Sequence, residues 1–118
     1  MKPARIDWLH RTNEQFRFRV VLLMGDGVTP LDLSVYTGLD MQVKADQYQP
    51  EPDLELTLSS GITLESGGGN GAINGLSSVA TIADMIGVYS YDIKASASGG
   101  VSDVVLEGTI TFIQGISV

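Results

Sequence analysis

Residues 16 to 23 read FRFRVVLL, and the phase of this run decides the fold. Phe16, Phe18, Val20 and Leu22 fall on one side of an extended chain, and Arg17, Arg19, Val21 and Leu23 on the other, because strand side chains alternate with a period of two. The run is therefore a strand with one buried face and one unusually basic face. On its N-terminal side lies DWLHRTNEQ, residues 7–15, which concentrates tryptophan, histidine and arginine in a chain that is otherwise acidic.

The same alternation recurs along the sequence. GDGVTP, residues 25–30, is a turn leading into LDLSVY, where Leu31, Leu33 and Val35 alternate with Asp32 and Ser34, which predicts a hairpin. In LDMQVKA Leu39, Met41 and Val43 point inward; YQPEPD then carries two prolines, which cannot donate to a ladder, and predicts a surface crossover. LELTLSS sets Leu54, Leu56 and Leu58 against Glu55, Thr57 and Ser59. Short strands at 62–65 and 72–76 flank a glycine-rich stretch around Gly67–Gly71, expected to be an exposed, mobile tip. Only SSVATIADMIG changes period: Val79, Ile82, Ala83 and Ile86 have helical spacing, with a serine N-cap and Gly87 as stop, so one short helix is expected over about 78–86. Tyr89, Tyr91 and Ile93 then share a face, ASGG turns, and Val104, Leu106, Ile110 and Phe112 point inward, with Gly108 marking a bulge or a close backbone approach. About seven short strands at this spacing specify an all-β sandwich or barrel. A parallel sheet is disfavoured, because each parallel crossover needs about a dozen residues and there is a single helix-length segment.

Composition narrows the function. At 118 residues the chain is one domain. The absence of cysteine excludes a disulfide scaffold, a thiolate zinc site and a cysteine nucleophile. The opening MKPARIDWLH has no apolar run resembling a signal sequence, and no segment is long and apolar enough to span a bilayer, so the chain reads as made without secretion. Lys2, Arg5, Arg11, Arg17 and Arg19 outweigh Asp7 and Glu14 in residues 1–19, a balance of 5 − 2 = +3, while the rest has two lysines against twelve acids, or −10. Such a body repels a phosphate backbone, so nucleic acid is not an expected partner. A basic leader on an acidic body complements a neighbouring protein surface instead.

Catalytic chemistry has little to build on. His10 is the only histidine, which leaves no zinc triad and no second imidazole for a serine nucleophile. Asp32, Asp40, Glu55, Asp92 and Glu107 all fall on the polar phase of their strands, as on a wet sheet face. GGGNGAING lacks the lysine of a phosphate loop and the aspartate of a calcium nonapeptide. At most a weak calcium site using backbone carbonyls, Asn70 and Glu65 remains, and a flexible tip that orders against a partner is the preferred reading. The expectation is a non-enzyme with no metal, no cofactor and no small-molecule substrate.

Trp8, His10 and Arg11 stand outside the main strand pattern, and tryptophan and arginine are the types most enriched at interface hot spots. The segment 1–14 is thus expected to be an extended N-terminal docking arm on a domain of residues 15–118, removable without unfolding it. Trp8, His10, Arg11, Arg17, Arg19 and Asn70 are the partner-interface candidates.

The order of these phrases suggests a family. The tryptophan-led FRFRV run, DGVTPLDLSVYT, MQVK, LTLSSGITL, the glycine-rich turn, the short helix, GVYSYDI and VVLEGTITF, spanning Trp8 to about Ile113, resemble small phage tail proteins, in particular the immunoglobulin-like N-terminal module of baseplate upper proteins. The resemblance implies an immunoglobulin-like antiparallel β-sandwich that assembles in several copies on the virion and often holds fibre or receptor-binding proteins. Its acidic residue between the tryptophan and the first strand corresponds to Glu14. The implied function is a tail, baseplate or collar subunit, made in the host cytoplasm and residing in the virion, that joins copies of itself and other virion proteins. Two alternatives are a capsid decoration protein and a carbohydrate- or host-surface-binding module, for which Tyr36 and Tyr48 are the candidate aromatics.

Overall fold

A computed structural model of the chain describes residues 4–97, 100 and 102–114, and the FRFRVV run forms a strand whose phenylalanines and Val20 are buried and whose arginines are exposed. The described residues make an all-β fold, a mixed sheet curled into two layers. Its strands are β1 (Ala4–Arg5), β2 (Trp8–Arg11), β3 (Phe16–Val21), β4 (Gly38–Lys44), β5 (Leu54–Leu58), β6 (Gly61–Leu64), β7 (Ala72–Ser77), β8 (Gly87–Ser96) and β9 (Ser102–Ile113).

Hydrogen bonding runs continuously in the order β1-β9-β8-β4-β5-β6-β7-β3, with β2 beside β1 on the same flank of β9. The path curls between β5 and β6, where Ser59 and Gly61 adopt positive φ of 72° and 102° and the two strands touch in parallel over only two residue pairs. Two layers result, β1/β2-β9-β8-β4-β5 facing β6-β7-β3. Their inner faces meet in one core that includes Phe16, Phe18 and Ile73 from the second layer and Met41, Ile93, Leu106 and Phe112 from the first. Each such side chain removed from water contributes roughly 1.5–3 kcal/mol, and no covalent staple assists.

Several expectations are corrected. The sheet is mixed rather than wholly antiparallel, because β1 and β2 run parallel to β9 and β6 briefly parallel to β5. Residues 31–37 form no strand: Leu33 is fully buried, Val35 is exposed, and the segment is tied down by single backbone bonds, from Leu31 N to Leu22 O at 2.9 Å and from Thr37 N to Ser96 O at 2.7 Å. The helix α1 spans only Val79–Ile82, capped by the Ser78 hydroxyl accepting from Thr81 N at 3.3 Å; Ile82 and Met85 are buried while Val79 and Ile86 face solvent. Along β9 the register slips opposite Ile93 and Lys94, so Val105 rather than Val104 joins the core.

The glycine-rich stretch is not a free tip. It forms a 3-10 turn at Glu65–Gly68 and seats the 22–34 segment: Leu33 N donates to Gly68 O and Leu22 N to Gly71 O, each at 2.9 Å. A Cβ on Gly68 would lie 2.9 Å from Ser34 N, and one on Gly71 only 2.4 Å from Leu22 O. These glycines serve close backbone approach rather than mobility.

Candidate docking surfaces

The N-terminal segment is extended, but from residue 4 onward it lies along its own subunit; residues 1–3 fall outside the described residues. Trp8 pairs with Ile110 and His10 with Phe112, while Ile6 N donates to Glu107 O at 3.1 Å and Thr12 N to Ile113 O at 3.0 Å. WLHR alternates like any strand, with Trp8 and His10 half-buried and Leu9 and Arg11 outward. The Trp8 indole stacks between Phe18 and Tyr91, at 4.9 Å from each ring centroid, and meets Phe16 edge-on at 6.0 Å. It therefore bridges the two layers as a core residue. His10 sets its ring edge-on to Phe16 and Phe112, and its Nε2–H donates to Glu14 O at 2.8 Å, the only polarity a carbonyl partner permits. A docking arm that projects from the body is thus replaced by two edge strands.

The join between β1 and β2 is held by backbone. The Tyr91 hydroxyl donates to Ile6 O at 2.6 Å, and burial, with Asp7 nearby, raises its ionisation well above the ordinary phenol value. Asp7 Oδ1 accepts from Thr109 N at 2.9 Å and from its hydroxyl at 3.2 Å, with Arg5 at 3.3 Å; the Thr109 amide is the main reason its carboxyl titrates below the ordinary value.

The remaining candidates are spread out. Arg19 faces outward but is occupied by a bidentate contact with Glu65, at 2.6 and 3.1 Å, and Asn74 donates to the same carboxylate at 2.8 Å. Those two partners hold Glu65 down at about 2. Asn70 turns inward, its side-chain oxygen accepting from Ala72 N at 3.2 Å, so it braces the glycine turn. Arg11 and Arg17 are exposed, and among the described residues neither meets a carboxylate. Arg17 Nη2 donates to Gln15 Oε1 at 3.3 Å.

One surface feature was not expected from the alternation. On the outer face of the first layer the register sets Leu9, Thr111 and Val88 side by side across β2, β9 and β8. Leu9 is 68% exposed, Val88 62% and Ile86, two residues before Val88, 53%. Leu9 and Val88 each occupy the polar phase of their strand, a signal visible in the sequence. The rest of that face is polar and mixed in charge, with Arg5, Glu107, Asp92, Gln42 and Lys94 in neighbouring positions. The surface crossover expected at YQPEPD is the exposed loop of residues 46–53, where Tyr48 is 85% exposed.

The polar face also carries a strained pair. Gln42 Nε2 donates to both Asp40 Oδ2 and Glu55 Oε2, at 3.2 Å each, while Asp40 Oδ1 is buried and unpartnered among the described residues. Burial first, and Glu55 next, raise the Asp40 carboxyl above its ordinary 3.8; Asp92 adds to this, and Lys94 lies opposite on β8. A raised carboxyl means that the folded chain holds a proton which the unfolded chain releases, so this site loses stability as pH rises through that interval. Asp40→Asn is therefore expected to be more stable than the parent at pH 7 by about 0.5 kcal/mol, with the gain shrinking towards pH 4. Urea titrations at both pH values check this, and a variant less stable at pH 7 contradicts it.

Among the described residues no group of histidine, cysteine or carboxylate side chains is placed to hold a metal ion, and no helix is long and apolar enough to cross a membrane. No protein-family model and no curated protein matches the chain. Among solved structures it is similar to the endo-β-1,4-mannanase from Thermotoga petrophila, at 13% identity and a TM-score of 0.48, over 97% of this chain and 18% of that one. It is also similar to extracellular domains 3–5 of Drosophila OTK, at 10% identity and a TM-score of 0.43, over 98% of this chain and 35% of that one.

Proposed function

We propose that this chain is a non-enzymatic structural component of a phage virion, a tail, baseplate or collar subunit, which joins other virion proteins through the outer face of β2, β9 and β8. The observation that carries the reading is the aliphatic row of Leu9 and Val88, with Ile86 beside it, left open to solvent on an otherwise polar sheet face. Apolar groups gathered at one place mark contact surfaces, whereas the same groups scattered singly carry no meaning. The order of motifs from Trp8 to Ile113 supplies the virion context. The acidic body argues against a nucleic-acid partner. His10, the one imidazole, sets its ring edge-on to Phe16 and Phe112 and is bonded through Nε2 to the Glu14 carbonyl, which supports a packing role.

A glycan platform has less support, because Tyr36 is half-buried with its hydroxyl donated to Asp103 at 3.3 Å, leaving Tyr48 as a single ring. The test replaces Leu9 and Val88 by aspartate together. Both side chains already face water, so the variant is expected to stay folded, changing stability by about 0.5 kcal/mol or less per site. It is also expected to be missing from purified particles. Incorporation at the parent level would overturn the proposal.

A further inference from the structure

The second layer has a feature that the docking face does not use. On the outer side of β6, β7 and β3 lies a depression of about 560 Å³, bordered by Arg17, Leu76, Thr63, Ser59, Gly61 and Ser78. Leu76, directly opposite Arg17 in the β3–β7 register, is exposed, so the depression joins an apolar wall to a cation that lacks a carboxylate among the described residues.

The loop of residues 46–53 has the complementary character. It contains Asp46, Glu51 and Asp53 and no lysine or arginine. Its own hydrogen bonds hold its shape: Tyr48 N donates to Asp46 Oδ1 at 2.9 Å, Asp46 N to Gln49 Oε1 at 3.0 Å, and Ala45 N to Asp53 Oδ2 at 2.8 Å, with Pro50 and Pro52 stiffening the return. Asp46 and Asp53 are spent inside the loop, whereas among the described residues no hydrogen bond holds the exposed Glu51 carboxylate. A loop already in its bound shape loses little entropy on docking. It presents one large amphipathic ring beside one uncommitted negative charge.

We infer that the loop of residues 46–53 of one copy seats in the β6-β7-β3 depression of a second copy, with Tyr48 against Leu76 and Glu51 paired with Arg17. Opposite charge at the two surfaces, in a chain whose remaining exposed face is mixed, selects another copy of itself as the occupant. The loop joins β4 to β5 in one layer and the depression belongs to the other, so donor and acceptor surfaces differ. Such a contact is head-to-tail, and it continues into a ring or a filament unless capped. The inference does not depend on the Leu9–Val88 face.

Sedimentation of the purified chain over rising concentration tests it. The parent is expected to form species larger than dimers, and Arg17→Glu and the double variant Tyr48→Ala, Glu51→Gln are each expected to weaken association about tenfold or more while melting like the parent. The decisive arm mixes the two variants. Arg17→Glu keeps an intact loop and the double variant an intact depression, so the mixture should yield one-to-one dimers that grow no further. A parent monomeric to about 1 mM, Arg17→Glu assembling like the parent, or a mixture that stays monomeric would each overturn the contact. The Leu9→Asp, Val88→Asp chain should still associate head-to-tail, which separates failure of this contact from failure of the docking face.

Discussion

Replacing Trp8 by alanine is expected to lower the unfolding free energy by about 3 kcal/mol, at the lower end of the range for truncating a core tryptophan because this one is half-buried. The indole sits between Phe18 of one layer and Tyr91 of the other, at 4.9 Å from each, so alanine removes the packing of three rings at once. Relaxation cannot refill the space cheaply, since β2 is fixed by its ladder to β9. A domain of this size is typically stable by about 5–15 kcal/mol, so the loss is a large share of the total. Urea unfolding followed by circular dichroism measures it, with Trp8→Phe recovering part of the loss. A change below about 0.5 kcal/mol would mean that the indole does not pack as described.

The second large effect is expected at Gly108. An alanine Cβ there would lie 2.0 Å from Ile6 O and 2.8 Å from the Ile6 carbonyl carbon, both rigid backbone atoms. Side-chain repacking cannot relieve that clash, so the β1–β2 link must lift from β9. Three hydrogen bonds converge on that link, from Tyr91 Oη to Ile6 O, from Ile6 N to Glu107 O, and from Thr109 N to Asp7. Gly108→Ala is therefore expected to cost about 3 kcal/mol, at the top of the usual range for overpacking. It should also shift Trp8 emission to the red while the rest of the sandwich remains folded. Parent-like stability and emission would show that the two backbones do not approach so closely.

Period-two alternation made most of the core legible in the sequence. Phe16, Phe18 and Val20, Leu39, Met41 and Val43, Tyr91 and Ile93, and Leu106, Ile110 and Phe112 are buried on the phases that the pattern assigns. What it could not supply were contacts between distant segments. WLHR offers only four residues of alternation, and its partner β9 lies about a hundred positions away, so a strand could be read as an arm. Gly68 and Gly71 looked like loosening elements because the segment that packs on them, residues 22–34, carries no signal of its destination. Helical spacing at 79–86 predicted a longer helix, yet only Ile82 and Met85 find the core. Of the candidate site residues, Trp8 and His10 are half-buried and packed on core rings, Asn70 braces a turn, and Arg19 is paired within the chain. Arg17 lies on the exposed phase of β3, as the alternation places it, and among the described residues it meets no carboxylate. Leu9 and Val88 were detectable as apolar residues on polar phases, and the exposure of Tyr48 agrees with the surface crossover expected at YQPEPD.

The central structural claim is that Ala4–Arg5 and Trp8–Arg11 are strands of the sandwich. Amide hydrogen exchange on the full chain tests this most directly. The Ile6 and Thr12 amides, bonded to Glu107 O and Ile113 O, should be protected to the same degree as amides of the β3–β7 ladder and should exchange together with them. Exchange of Ile6 and Thr12 at unprotected rates, with the β3–β7 ladder still protected, would show an N-terminal segment detached from the body and would contradict the account.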